Sequence, residues 1–124
     1  MRFMMIVKAN EASEAGVVPS AESMAAWNVF EEEMTKAGVL LDLGGLKPSS
    51  AGARIKFSGD KKTVIDGPFA ESKELIAGYC ILEVKSRDEA IAWALRMPTP
   101  PDGEETNIEI RQLFMYEPED FAQA

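Results

Sequence analysis

"IAGYCILEVKSRDEAIAWALRMP", Ile76 to Pro98, holds the two signals from which the rest of the chain is read. Its first half alternates, with Cys80, Leu82 and Val84 on one side and Tyr79, Ile81 and Glu83 on the other, which is the period of a strand. Apolar residues on both sides place that strand inside a sheet. The second half changes period. Ser86 is followed three residues later by Glu89, a capping box, and Ala90, Ile91, Ala94 and Leu95 then form an apolar stripe until Pro98 stops it. A strand therefore passes through a polar cap into a helix.

The same reading extends outward in both directions. Arg2 to Lys8 puts Phe3, Met5 and Val7 on one face and Met4, Ile6 and Lys8 on the other, again a strand that is apolar on both faces. After a loop containing glycine and proline, Ser20 is placed to cap a helix with Glu22 in its first turn. Met24, Trp27, Phe30, Met34 and Ala37 recur at spacings of three and four, and Glu31 to Glu33 lie mostly off that stripe. Gly38 stands where a left-handed terminating residue is expected. "VLLDLGGLKP" (39–48) reads as a strand running into a glycine pair, and "ARIKFSGDKKTVID" (53–66) as a hairpin turning at Ser58 to Lys61. Beyond the loop "PTPPDGEE" (98–105), "TNIEIRQLFMYE" (106–117) predicts a last strand, in which Ile108, Ile110, Gln112, Phe114 and Tyr116 alternate with Glu109, Arg111, Leu113 and Met115. A short acidic tail follows.

The order strand, helix, strand, hairpin, strand, helix, strand is that of an α+β fold, a ferredoxin-like split βαβ arrangement with an inserted β-hairpin and both helices on one sheet face. The opposite face carries too many apolar side chains to be left wet, so a homodimer in which two sheets close on each other is expected.

Composition narrows the function. A chain of 124 residues is expected to form one domain, and 46% hydrophobic with 27% charged residues is a globular balance. With 13 basic against 21 acidic residues the formal charge is -8, which argues against nucleic acid and against anionic membranes as partners. The apolar run in "MRFMMIVKAN" is about half the length of a membrane span and is followed by no cleavage signal, so the expected compartment is the cytoplasm. The lone Cys80 reads as a small buried hydrophobe. There is no histidine, which removes imidazole bases, histidine-dependent triads and histidine-ligated metals. "GGLKPSSAG" has neither the spacing nor the context of a phosphate loop, so no nucleotide cofactor is expected. Carboxylates at 66, 71 and 74 lack the oxygen-rich spacing of a Ca²⁺ or Mg²⁺ loop, so no metal is expected either.

From "DGPFAESKELIAGYCILEVKSRDEAIAWA" (66–94), together with "RFMMIVK", "KAGVL" and "GGLKPS", the chain resembles the YCII-related family over nearly its whole length, in the branch named for its Asp-Gly-Pro-Phe motif. The resemblance implies a dimeric α+β barrel of ferredoxin-like halves, found mostly in bacteria and sometimes encoded beside or fused to sigma factors. In the wider family the proposed active site is a histidine and aspartate pair, with the histidine on the first helix. The matching region here is "SMAAWNVFEE" (23–32), where Trp27 or a neighbour takes that place, so of the pair only Asp66 has a counterpart.

Asp66 ends a strand. Its carboxylate is suited to act as a general base or to orient a substrate hydroxyl, and equally to accept backbone hydrogen bonds in a turn shaped by Gly67 and Pro68. Glu71, Lys73 and Glu74 suit either an anion-binding and proton-moving cluster or surface ion pairs on a short helical turn. Arg111, set between Ile110 and Gln112, needs an anionic partner, a ligand, an interface carboxylate or Asp66 itself. Tyr79 presents its hydroxyl on the face opposite the helices, to a bound carbonyl or to an interface. Two functions are therefore in play. One is a protein binding a small anionic or aromatic ligand, with lyase-like or hydrolase-like chemistry near Asp66; the other is a non-catalytic regulatory module linked to sigma-factor signalling.

Overall fold

The computed structural model describes residues 1–99 and 104–120. Four strands, β1 (Arg2–Lys8), β2 (Leu40–Gly45), β5 (Ile76–Glu83) and β6 (Ile108–Gln112), form one antiparallel sheet in the order β2-β5-β1-β6. Strands β3 (Ala53–Ser58) and β4 (Lys61–Asp66) form a separate hairpin. Three helices complete the mixed α+β fold: α1 (Glu11–Glu14), α2 (Ala21–Lys36) and α3 (Arg87–Ala94). Helix α2 joins β1 to β2 with β5 lying between them, and α3 joins β5 to β6 with β1 between them.

Register assigns the faces, because residues directly opposite in an antiparallel pair share a face. Phe3 stands opposite Leu82 and Met5 opposite Cys80, and on the other flank Met5 stands opposite Ile110. These residues form the core with Phe30 and Met34 of α2 and with Ala90 and Trp93 of α3. Met4 opposite Ile81 and Ile6 opposite Tyr79 belong to the face away from the helices. Ile6 is buried there and the other three are half-buried, so the sheet is apolar on both sides, as the doubled pattern of β1 and β5 requires.

The caps lie where the sequence puts them. Ser20 Oγ accepts from the Ser23 amide at 3.1 Å, and Gly38 ends α2 with a φ of 72°. Ser86 Oγ accepts from the Glu89 amide, while the Glu89 carboxylate reaches past the cap to the Lys85 amide. Three expectations need correction. On α3 Ala90 is buried as expected, but its core partner is Trp93, and Leu95, expected on the stripe, caps the helix with its side chain exposed. On α2 the buried positions are Phe30 and Met34, with Trp27 half-buried and Met24 and Ala37 exposed, since only the second half of the helix lies flat on the core. The last strand stops at Gln112, because β1 begins at Arg2 and offers Leu113 one final carbonyl at 2.9 Å; Phe114 and Tyr116 are exposed.

Helix α1 was not foreseen. Asn10 and Ser13 cap it reciprocally, each side chain taking the other's backbone amide at 2.9 Å. Residues 100–103 of the expected proline-rich loop and 121–124 of the expected acidic tail lie outside the described residues. Among the described residues, no helix is long and apolar enough to cross a membrane. Met34 is fully buried between helix and sheet. Met34→Ala is therefore expected to lower the unfolding free energy by about 2–5 kcal/mol in urea titration, whereas Met24→Ala is expected to change it by less than about 0.5 kcal/mol.

Candidate functional site

The Asp-Gly-Pro-Phe motif is a structural knot. Asp66 closes β4, the Gly67 amide donates to the Gly52 carbonyl at 2.9 Å, and the Gly67–Pro68 peptide bond is cis. A Cβ at Gly67 would lie 1.8 Å from the Ser49 carbonyl oxygen, so no larger residue fits against that backbone. The Phe69 amide donates to Ser49 Oγ at 3.0 Å. Ser49 in turn donates its amide to Glu14 Oε1 at 2.8 Å and its hydroxyl to Glu14 Oε2. One serine thus ties α1, the 49–51 turn and the motif together. Arg54 lies over the Phe69 ring, 3.8 Å from its centroid. The Asp66 carboxylate is exposed and makes no hydrogen bond or ion pair among the described residues, so the turn is held by backbone amides of its neighbours.

The other sequence-derived candidates are dispersed. Glu71 precedes the helical turn Ser72–Glu74 and is exposed. Glu74 borders a cavity of about 450 Å³ beside Phe69 and Arg54, and Lys73 borders a different one of about 190 Å³ with Glu11, Glu104 and Glu105. Tyr79 and Arg111 lie on the sheet face away from the helices, by their register with Ile6 and Met4. The Tyr79 ring crosses Gly44, where a Cβ would come within 2.8 Å of it. Arg111 bonds Glu109 on its own strand at 3.0 Å and is 72% exposed. Among the described residues, neither of these two cavities is lined by two of these six residues. Among the described residues, no three carboxylate or thiol groups gather as a metal ion would need.

A cavity of about 570 Å³ opens elsewhere, between the first half of α2, the end of α3 and the adjoining ends of β1 and β6. Its apolar wall is Trp27 with Val7, Met97 and Ile108, and the space exists because Ala26, Ala77 and Ala94 are small. Trp27 is fixed by an edge-on contact with Phe30, ring centroids 5.6 Å apart. Polar groups border it too. Lys8 ends β1, Asn10 and Ser13 follow on the capped helix α1, and Asn10 Nδ2 donates to Thr106 Oγ1 at 3.2 Å. Among the described residues that line it, Glu22 is the one carboxylate and Lys8 the one cation, and Lys8 also borders the cavity of about 190 Å³. Lys8 Nζ stands 3.9 Å from Glu109 Oε1, while Arg111 holds the other oxygen of that carboxylate at 3.0 Å. The ammonium is thus only loosely engaged. Sequence reading singled out Trp27 but missed Lys8, Asn10, Ser13 and Thr106, whose meeting depends on the β1–β6 pairing. The local signal was the Asn10–Ser13 cap.

The YCII-related domain matches residues 1–113, so the chain belongs to the YCII-related family. It is 34% identical over 93 residues to an uncharacterised protein of Rhizobium meliloti (strain 1021), an alignment covering 73% of each chain.

Two outcomes follow from the buried contacts. Gly67→Ala is expected to cost more than about 2 kcal/mol in chemical denaturation, since backbone must move, and Ser49→Ala about 1–3 kcal/mol from the unpaired Phe69 amide and the lost hydroxyl bond to Glu14 Oε2, while the residue-49 amide still reaches Oε1. Burial, helped by the nearby Glu31 charge, pushes the Cys80 thiol up from 9.0 to about 11. A raised folded-state pKa means that the stability held in this neutral thiol is complete below pH 9 and is lost as pH rises towards 11. Native protein at pH 8 should therefore react with a thiol reagent only as fast as it opens, and unfolded protein at once.

Proposed function

We propose that this protein binds a small carboxylate with an apolar or aromatic body in the cavity beside Trp27. The observation that carries this reading is the pairing, in one cavity of about 570 Å³, of an aromatic and aliphatic wall with Lys8, Asn10 and Ser13 at one edge. That volume is within the usual range for small-molecule sites, and a few polar groups beside an apolar wall are what orient such a ligand. The ligand body packs on Trp27 and Ile108, and its carboxylate draws the Lys8 ammonium away from Glu109. Any lyase-like or hydrolase-like step here would depend on Glu22 to move a proton, because the chain has no histidine. Asp66 and the other charged candidates then have no part in the cavity.

The reading also includes assignment to the Asp-Gly-Pro-Phe branch, work in the cytoplasm, and a homodimer whose helix-free sheet faces meet to form an α+β barrel. The motif at 66–69 supports the first, the unpaired buried Cys80 the second, and the apolar centre of Met4, Ile6, Tyr79 and Ile81 the third.

A thermal-shift screen of aromatic and aliphatic carboxylates tests the site. A ligand at a hundred times its dissociation constant should add about 2.7 kcal/mol of stability. Lys8→Gln should weaken binding about tenfold or more through loss of a charged hydrogen bond, and Asp66→Asn should leave it unchanged. A ligand lost with Asp66→Asn but kept with Lys8→Gln would move the site to the motif. No stabilisation by any carboxylate would favour the non-catalytic interaction module.

A further inference from the structure

The hairpin β3–β4 is separate from the main sheet, and every residue of both strands is exposed. Its register sorts the side chains into two unlike faces. Ile55 stands opposite Val64, Phe57 opposite Lys62, and Ala53 opposite Asp66, so these six share one face. Arg54, Lys56, Ser58, Lys61, Thr63 and Ile65 occupy the other, where Arg54 is engaged by Phe69. On the first face Ile55, Phe57 and Val64 are 52%, 68% and 64% exposed. A two-stranded ribbon is at best marginally stable alone in water, and an uncovered apolar stripe worsens that. This hairpin is nevertheless held firmly at its root, by the Gly67 amide on the Gly52 carbonyl and by the backbone packing against Ser49.

The charges on that face indicate its occupant. Lys62 lies at the tip, over the Phe57 ring at 5.6 Å, and Asp66 at the root, and neither is in an ion pair among the described residues. They are four residues apart along one strand, about 13 Å. A face that is positive at one end, apolar in the middle and negative at the other is complementary to itself when turned end for end. We propose that the hairpin docks on the hairpin of a second copy of this chain about a twofold axis. The Ile55 and Val64 centres stack, and each Asp66 meets the other copy's Lys62. Two such ribbons packed face to face make a small sandwich, and a twofold contact repeats every pairing twice. The basic residues Arg54, Lys56 and Lys61 point away from the contact. Asp66 thereby acquires a role in recognition rather than catalysis. This proposal is independent of the cavity at Trp27.

The test is sedimentation velocity over a concentration series on the wild type, Lys62→Asp, Asp66→Lys and the double exchange, with circular dichroism to confirm that each variant folds. The wild type should self-associate. Each single reversal should raise the dissociation constant of that step about tenfold or more, because it places two like-charge pairs at the contact; the double exchange, which restores both pairs in reverse, should return it to within about threefold. If the sheet faces also associate, the single variants should keep half the wild-type mass, which supports the proposal equally. Single variants that associate like the wild type, a double exchange no better than the singles, or a wild type that stays monomeric throughout would each overturn it, the last leaving the face to a different protein.

Discussion

The antiparallel pairing of β1 with β5 is the constraint on which the rest of the molecule depends. With Phe3 opposite Leu82 and Met5 opposite Cys80, one face of the two central strands becomes a continuous apolar floor for Phe30, Met34, Ala90 and Trp93. A slip of β1 by one residue would turn Met4 and Ile6 under the helices and Phe3 and Met5 outward, against an unchanged β5. The register also fixes the ends of the sheet. Because β1 finishes at Lys8 beside Ile108, the turn through Asn10 and the start of β6 are brought under the first half of α2, and three alanines leave the space there unfilled.

How much of this was legible in the sequence depended on whether a feature was local. The strand and helix within Ile76–Pro98 were readable because period, cap and stop signal all fall within one short stretch. Helix α2 was readable for the same reason, with Ser20 at one end and Gly38 at the other. Trp93 was missed because the stripe was drawn through Leu95; the core lies along Ala90, Trp93, Ala94 and Met97, and Leu95 falls just past the helix end. The last strand was read too long because alternation continues through Tyr116 in the sequence, whereas pairing ends when β1 runs out of residues. The edge of a sheet is set by its neighbour's length, which no local pattern carries.

The candidate site was less legible, for a related reason. Charged residues draw attention in a sequence, and Asp66, Glu71, Lys73, Glu74 and Arg111 all did, yet the fold sends them to a hairpin, two separate cavities and an exposed ion pair. The cavity beside Trp27 is made instead by absence: Ala26, Ala77 and Ala94 are unremarkable as letters and matter only because Trp27 and Ile108 stand around them. The motif that names the branch acts through its glycine and phenylalanine amides. Ser49, which holds the Phe69 amide, lies 20 positions upstream of it, and Glu14, which holds Ser49, a further 35.

The methyl groups of the methionines offer the most direct measurement of where a ligand sits, since they report from different places in the fold. Met97 borders the cavity, Met34 lies in the core and Met4 on the helix-free sheet face. In a carboxylate titration followed by methyl NMR on methionine-labelled protein, the Met97 resonance should move and saturate while Met4 stays in place. Saturation at Met4 with Met97 unmoved would put the ligand on the open sheet face and contradict the account.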